Sequence, residues 1–271
     1  MRIKLGSVMV ALLCAAAVLA GLAQAITFGE PDGTRHPQVG ALVADWNEDS
    51  PGPDQFCTGT LVDDNLFLTA AHCMVGWPED QEFWVTFEPQ YDETAANPRR
   101  LHRVTDFTIH EGYGHDSADL HDLAIVELAS APNVAPAELV EFGFFDTLSQ
   151  QELRELTFTT VGYGLVRESK TGGPHGLIDR TDRLVAQQTF LSLEPAWLNL
   201  NMNPSTGSGG TCFGDSGGPH FLGGMTSNLL VSITVTGDAM CRATDKTYRL
   251  DTESAQEFLS RFGLVPPPDG S

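Results

Sequence analysis

The chain has 271 residues, with 15 lysines and arginines against 36 aspartates and glutamates, for a formal net charge of -21. Such an excess of negative charge opposes nucleic acid and anionic membranes as partners, because phosphate recognition needs a positive field. The length suffices to bury a large core, as one unit or as two halves of ordinary domain size.

Residues 1–25 are expected to form a secretory signal. Arg2 and Lys4 supply the positive start, Val8 to Leu22 the apolar run, and Ala23-Gln24-Ala25 a small-x-small cleavage site. The run is too short for a comfortable membrane span. Its removal takes away two cations and no anions, moving the net charge from -21 to -23. The mature protein is therefore expected to be secreted, to the periplasm or outside the cell, and free of the membrane. Cys14 leaves with the signal, and Cys57, Cys73, Cys212 and Cys241 remain. An even set in an oxidising compartment favours two disulfides over metal ligation, and no close C-x-x-C pair suggests structural zinc.

Beyond the signal, short β-type runs alternate with Gly, Pro, Asn and Asp clusters: "VGALVADW" from Val39, "CTGTLV" from Cys57, "EFWVTF" from Glu82, "LAIVEL" from Leu123, "LTFTTVGYG" from Leu156 and "LLVSITVTG" from Leu229. Such spacing predicts an all-β barrel or sandwich. "SAPNVAPAE", Ser130 to Glu138, is the best linker and divides residues 26–135 from 136–250. "SAQEFLSRFG" predicts a terminal helix within 251–263, with Ser254 and Glu257 as a capping box, Phe258, Leu259 and Phe262 on one face, and Gly263 as the stop. Residues 264–271 read as a disordered tail.

Three separated places carry chemistry. In "GDSGGP", Ser216 is flanked by glycines that let the backbone tighten and let amides converge. A hydroxyl attacking a carbonyl creates an oxyanion that needs preorganised N–H donors, here those of Gly214 and Ser216. The hydroxyl also needs a base. His72 stands out of eight histidines in "FLTAAHC", where an apolar strand ends in small residues. The base in turn needs an orienting carboxylate, and Asp122 precedes the buried-type run "LAIVEL", with Asp119 in "SADLHD" as its competitor. Another grouping joins His110, His115, Asp116, Asp119 and His121 as metal ligands, but its spacing matches neither a helical i, i+4 pair nor a known loop.

With "LTAAHC", "HDLAIVEL", "VGYG" and "GDSGGP" in this order, the chain resembles the trypsin and chymotrypsin family of serine endopeptidases over nearly all of Ile26 to Phe262. The resemblance implies two antiparallel six-stranded β-barrels with a C-terminal helix, a monomer acting on protein or peptide substrates, and no metal or organic cofactor. It implies His72 as general base, Asp122 as its orienter, Ser216 as nucleophile, and Gly214 with Ser216 as the oxyanion hole. It further implies pairing of Cys57 with Cys73 and of Cys212 with Cys241. Family members mature by freeing an apolar amino terminus that pairs with the aspartate before the nucleophile. Cleavage after Ala25 would leave Ile26 in that place, opposite Asp215.

Departures from the family pattern are equally specific. Val235 and Thr236 stand where relatives carry serine and tryptophan, so Asp122 loses a hydroxyl donor. Gly210 occupies the base of the specificity pocket, where trypsins hold aspartate. With Thr211 and Gly237 it implies an open, uncharged pocket that favours apolar residues before the cut, unless Asp245 turns inward. A binding protein with impaired catalysis and an esterase on the same triad are the competing functions.

Overall fold

The computed structural model describes residues 25–46, 51–95, 97–171, 176–179 and 182–268. Most of the expected signal, and the end of the tail, lie outside these. Among the described residues no helix is long and apolar enough to cross a membrane.

The apolar runs become strands that are covered on both faces: Val39–Ala44 is buried along its whole length, as is nearly all of Ala124–Leu128. A strand of that kind needs partners above and below, which a closed sheet supplies. Six strands close the first barrel: β1 (Val39–Ala44), β2 (Asp54–Leu61), β3 (Leu66–Thr69), β4 (Phe83–Thr86), β5 (His102–Ile109) and β6 (Ala124–Leu128). Their neighbour order is β1-β2-β3-β6-β5-β4, and β4 returns to β1. The second barrel uses β7 (Thr157–Gly162), β8 (Leu184–Leu193), β9 (Trp197–Asn201), β10 (Pro219–Leu222), β11 (Leu229–Gly237) and β12 (Thr244–Arg249). Its order β7-β8-β9-β12-β11-β10, closed by β10 on β7, repeats the first. The two barrels thus share one topology that no internal sequence repeat announces.

One apolar cluster runs through both barrels, from Val39 and Phe67 to Phe221 and Tyr248. Polar groups at the junction are matched. Arg183 is 1% exposed and donates to the Asp32 carboxylate at 2.9 Å and to the carbonyls of Val39, Phe87 and Gly33. A buried guanidinium is tolerated only when its donors are satisfied in this way. Ahead of β1, Glu30–Pro31 pairs with Leu184 and Val185 of the second barrel, so this segment lies on that barrel before the chain enters the first.

The terminal helix spans Glu253–Ser260 and buries Phe258 and Leu259. Its N-cap is Thr252, whose hydroxyl accepts from Ala255 N, and not the expected Ser254. Ser254 lies in the first turn, where its hydroxyl meets His110 Nε2 at 3.0 Å and His121 Nδ1 at 2.8 Å. A capping box does occur, at Gln150–Glu155, where Ser149 and Glu152 satisfy each other's backbone N–H. Leu264 and Val265, in the stretch read as a tail, pack against the core.

Candidate active site

His72 sits in the short turn Ala71–Cys73 directly after β3, and Asp122 sits two residues before β6. Because β3 and β6 are paired neighbours, with Thr69 opposite Ala124, the two residues leave the same end of the barrel side by side. Asp122 is 1% exposed, and His121 before it takes the left-handed φ of 52°, which closes the turn that aims the carboxylate. Both carboxylate oxygens engage His72: Oδ1 accepts the backbone N–H at 2.8 Å and Oδ2 faces Nδ1 at 2.6 Å. A carboxylate can only accept, so Nδ1 carries the hydrogen and Nε2 is left as an acceptor. This is the tautomer a general base requires.

Ser216 arrives from the other barrel. Its carbonyl accepts from Thr58 N of β2 at 2.9 Å, while Gly217 N donates to Thr234 O of β11 at 2.8 Å. The same carbonyl lies 3.7 Å from Cys73 Sγ, next to His72. Gly217 has a φ of 77°, and a Cβ there would lie 2.1 Å from Thr69 Oγ1, so only glycine lets this turn press against the end of β3. Cys57 is bonded to Cys73 and Cys212 to Cys241, which fixes both approaches to the turn. His72 with Cys57 and Cys73 also forms a tight cluster of metal-ligating atom types. Sulfurs joined in a disulfide offer no thiolate, so that cluster is not a metal site.

The peptides flanking the serine are pinned. Phe213 O accepts from Leu165 N at 2.7 Å, Gly214 O from Gln55 Nε2 at 2.8 Å and Thr58 Oγ1 at 3.0 Å, and Asp215 O from Gly218 N at 2.8 Å. Among the described residues, neither the Gly214 N–H nor the Ser216 N–H donates to a protein acceptor. Two fixed amides beside a serine form an arrangement able to hold an oxyanion.

Asp215 points inward and is fully buried, with Oδ1 accepting from Gly164 N at 2.8 Å and Oδ2 from Cys212 N at 2.9 Å. Burial pushes its carboxyl up to about 7, against the pull of these amides, and the charge of Asp245 adds to the rise. Ile26 is buried beside it: a Cβ on Gly162 would lie 2.0 Å from Asp215 Oδ1 and 3.3 Å from Ile26 Cδ1. Ile26 has a φ of 37°, a strained value for a β-branched residue. Thr27 O accepts from Gly210 N at 2.9 Å, which ties this segment to the residue expected at the base of the specificity pocket.

At that position, a Cβ on Gly210 would lie 2.4 Å from Met202 Cβ and 2.7 Å from Gln188 Nε2, so no aspartate fits there without displacing them. Thr211, next in the chain, is buried, and Gly237 pairs with Asp245 between β11 and β12. Asp245 does turn inward and is fully buried, with Oδ2 held by Gln188 Nε2 at 2.8 Å. His220 completes this group, meeting Gln188 Oε1 at 2.9 Å and Thr234 Oγ1 at 3.0 Å. Burial lowers its pKa, against the pull of Asp245, so it is neutral near pH 7. Gln188, Met202 and His220 were not foreseen from the sequence; only His220, just after the serine motif, stood near any signal.

Asp119 is engaged elsewhere, accepting from Tyr248 Oη at 2.7 Å and from His121 N at 3.2 Å. His110 and His121 stack with ring centroids 4.7 Å apart and share the Ser254 hydroxyl. Asp116 caps its own loop through Ala118 N, and His115 is exposed. Val235 and Thr236 line a cavity of about 380 Å³ together with His72, Asp122 and Tyr113. Tyr113 is held neutral by burial and by the Asp122 charge, which both raise its pKa.

Comparison with known proteins adds to this geometry. A family model described as Trypsin matches residues 32–256. The trypsin of Saccharopolyspora erythraea is 27% identical over 212 residues, which cover 76% of this chain and 84% of that protein. Brachyurin of Leptuca pugilator is 30% identical over 176 residues, covering 64% of this chain and 74% of brachyurin. Among solved structures, HL collagenase matches with a TM-score of 0.61 at 18% identity, over 89% of this chain and 99% of that one, and so shares the fold.

Proposed function

Since the chain belongs to the trypsin family of serine endopeptidases, we propose that it cleaves peptide bonds with Ser216 as nucleophile, His72 as general base and Asp122 as the orienter of His72. The observation that carries this reading is the double hydrogen bond from His72 to Asp122, at 2.8 and 2.6 Å, beside the pinned turn of Ser216. His72 Nε2 takes the Ser216 proton as the hydroxyl attacks the substrate carbonyl, and the Gly214 and Ser216 amides hold the oxygen as it becomes negative. His72 then passes the proton to the leaving amine. Water enters, and the same base activates it to release the acyl group. Secretion through the signal at residues 1–25 and action as a monomer complete the proposal.

Reaction of the purified mature protein with a fluorophosphonate, followed by mapping of the tagged peptide, tests the assignment. Label on Ser216 is expected. An unlabelled, folded protein would leave only the binding-protein reading, and hydrolysis of simple esters without casein would favour an esterase.

Gly210 supports a neutral pocket, because an entering side chain meets the Met202 thioether and the Gln188 amide before the buried Asp245 carboxylate. Apolar or aromatic residues before the cut are therefore expected to be preferred. In a peptide panel varied only at that residue, fastest turnover of the Arg and Lys members would overturn this.

Val235 presents no hydroxyl to the cavity it shares with Asp122. Val235→Ser adds one there, and kcat should rise about fivefold, the equivalent of one net hydrogen bond of about 1 kcal/mol. Steady-state kinetics on one anilide substrate decides it; an unchanged kcat would mean that His72 alone holds Asp122 well enough.

A further inference from the structure

A cavity of about 850 Å³ opens beside Gly214 and shares no lining residue with the Val235 cavity. It is built from five separated parts of the chain and is used by no step proposed above. Asp54, Asp92 and Glu93 line it together with Trp46 and Phe213, each 57% exposed. Asp179 and Asp182 also line it but have partners of their own, and Asp92 Oδ1 accepts from Thr94 N at 2.9 Å and Thr94 Oγ1 at 2.6 Å, so the weight falls on Asp54 and Glu93. No lysine or arginine is present among the described lining residues. Asp54 Oδ2 is buried in the wall and has no hydrogen-bond partner among the described residues. Glu93 titrates high, first through burial and then through the charges of Asp54, Asp179 and Asp92, which shows that these carboxylates crowd one another. Two large apolar side chains left in solvent beside unneutralised carboxylates fit a ligand with a long apolar stem and a cationic head.

The position of the cavity decides what that ligand is. Gly214 lines it, and Gln55, also in its wall, holds the Gly214 carbonyl at 2.8 Å. The smaller cavity lies along Val235 and Thr236, on the strand that runs into Gly237 and the specificity pocket. With the acyl half of a substrate on that side, as the proposed pocket requires, the leaving half is directed past Gly214, which lines the larger cavity. Resting on the proposed endopeptidase reading, we infer that this cavity selects substrates carrying lysine or arginine in the residues just after the scissile bond. The cationic heads meet Asp54 and Glu93 while their stems lie on Trp46 and Phe213. The pocket before the cut is neutral and the cavity after it is anionic, so charge selection is exerted on the leaving side.

The test uses two readouts. Peptides with one fixed acyl side and Lys-Lys, Ala-Ala or Glu-Glu after the scissile bond are titrated against the mature Ser216→Ala protein, with tryptophan fluorescence as the signal. The same peptides, internally quenched, are then cleaved by the unmodified protein. Lys-Lys is expected to bind and to be cleaved about tenfold better than Glu-Glu at low ionic strength, as two partly exposed ion pairs allow. That ratio should fall towards one in about 0.5 M salt, where such pairs are screened. Asp54→Asn with Glu93→Gln should abolish it when cleavage is normalised to ester turnover by the same variant. Equal binding of the three peptides, or a Lys-Lys preference that survives both high salt and the double variant, would overturn the inference. A protein that hydrolyses no ester but still binds Lys-Lys selectively would retain the cavity assignment and lose the catalytic one.

Discussion

Ser216→Ala is expected to lower kcat by about a million-fold with the fold intact, because serine triads act as a unit and their single losses approach the loss of all three members. His72→Ala should cost a similar factor, and the double variant little more than either. This near-complete non-additivity is the signature to look for, since a serine serving only in binding would give additive effects on KM. Asp122→Asn should cost less, about ten-thousandfold, through a different route. Both oxygens of Asp122 now accept from His72, at 2.8 and 2.6 Å. An amide can offer only one acceptor, and its NH2 group turned toward Nδ1 would favour the tautomer whose Nε2 cannot take a proton. Rate measurements on a chromogenic ester, with circular dichroism to check folding, decide these outcomes. Residual activity above about a thousandth of the parent for Ser216→Ala would remove Ser216 as the nucleophile, since only the oxyanion site and binding would remain to support turnover.

A form whose first residue is Ile26 should be at least about a hundredfold more active than one retaining a residue ahead of it, because a buried charge left without its partner costs about 3 to 5 kcal/mol. We propose that the free ammonium of Ile26 pairs with Asp215 and so orders the turn that carries the Gly214 and Ser216 amides. The uncleaved chain supports this in three ways. Asp215 is fully buried with its carboxyl pushed up to about 7, Ile26 is buried against the same Gly162, and Ile26 carries a φ of 37° that exists only while Ala25 is attached.

The consequence for stability has a definite sign. A carboxyl whose folded pKa lies at about 7, above its ordinary 3.8, is more protonated in the folded than in the unfolded chain, so stability falls as pH rises through that value. Between pH 5 and 8 the uncleaved protein should lose about 2 to 3 kcal/mol on this account, seen as a melting point lower by several degrees. The form beginning at Ile26 should show no such loss, because the ammonium holds Asp215 ionised. Asp215→Asn should flatten the profile of the uncleaved chain and leave the mature form poorly active. An active secreted form that begins at another residue would refute the mechanism.

Much of the candidate site was legible because each part is local. Strand β3 ends in small residues before His72, an apolar strand follows Asp122, and glycines surround Ser216; in each case the candidate residue neighbours those that shape the backbone. The helix cap was misplaced by two residues because Thr252 and Ser254 are both good caps, and the choice depended on Ser254 being drawn to His110 and His121 from the first barrel. Strands β8, β9, β10 and β12 were not marked at all. They carry polar residues such as Gln188, His220 and Asp245 into the interior, where these satisfy one another and so mask the apolar pattern.

The sequence by itself pointed to Ser216, His72 and Asp122 as the candidate residues, to the all-β class and to the glycine at each point where backbone must approach backbone, since these follow from residue type and from neighbours within a few positions. Tertiary structure alone decided that the Asp245 carboxylate is held by Gln188, and that carboxylates near residues 54 and 93 gather beside Gly214. Those outcomes depend on strand pairing between distant segments. Pairing energies are summed over whole barrels, so no short stretch of chain encodes them.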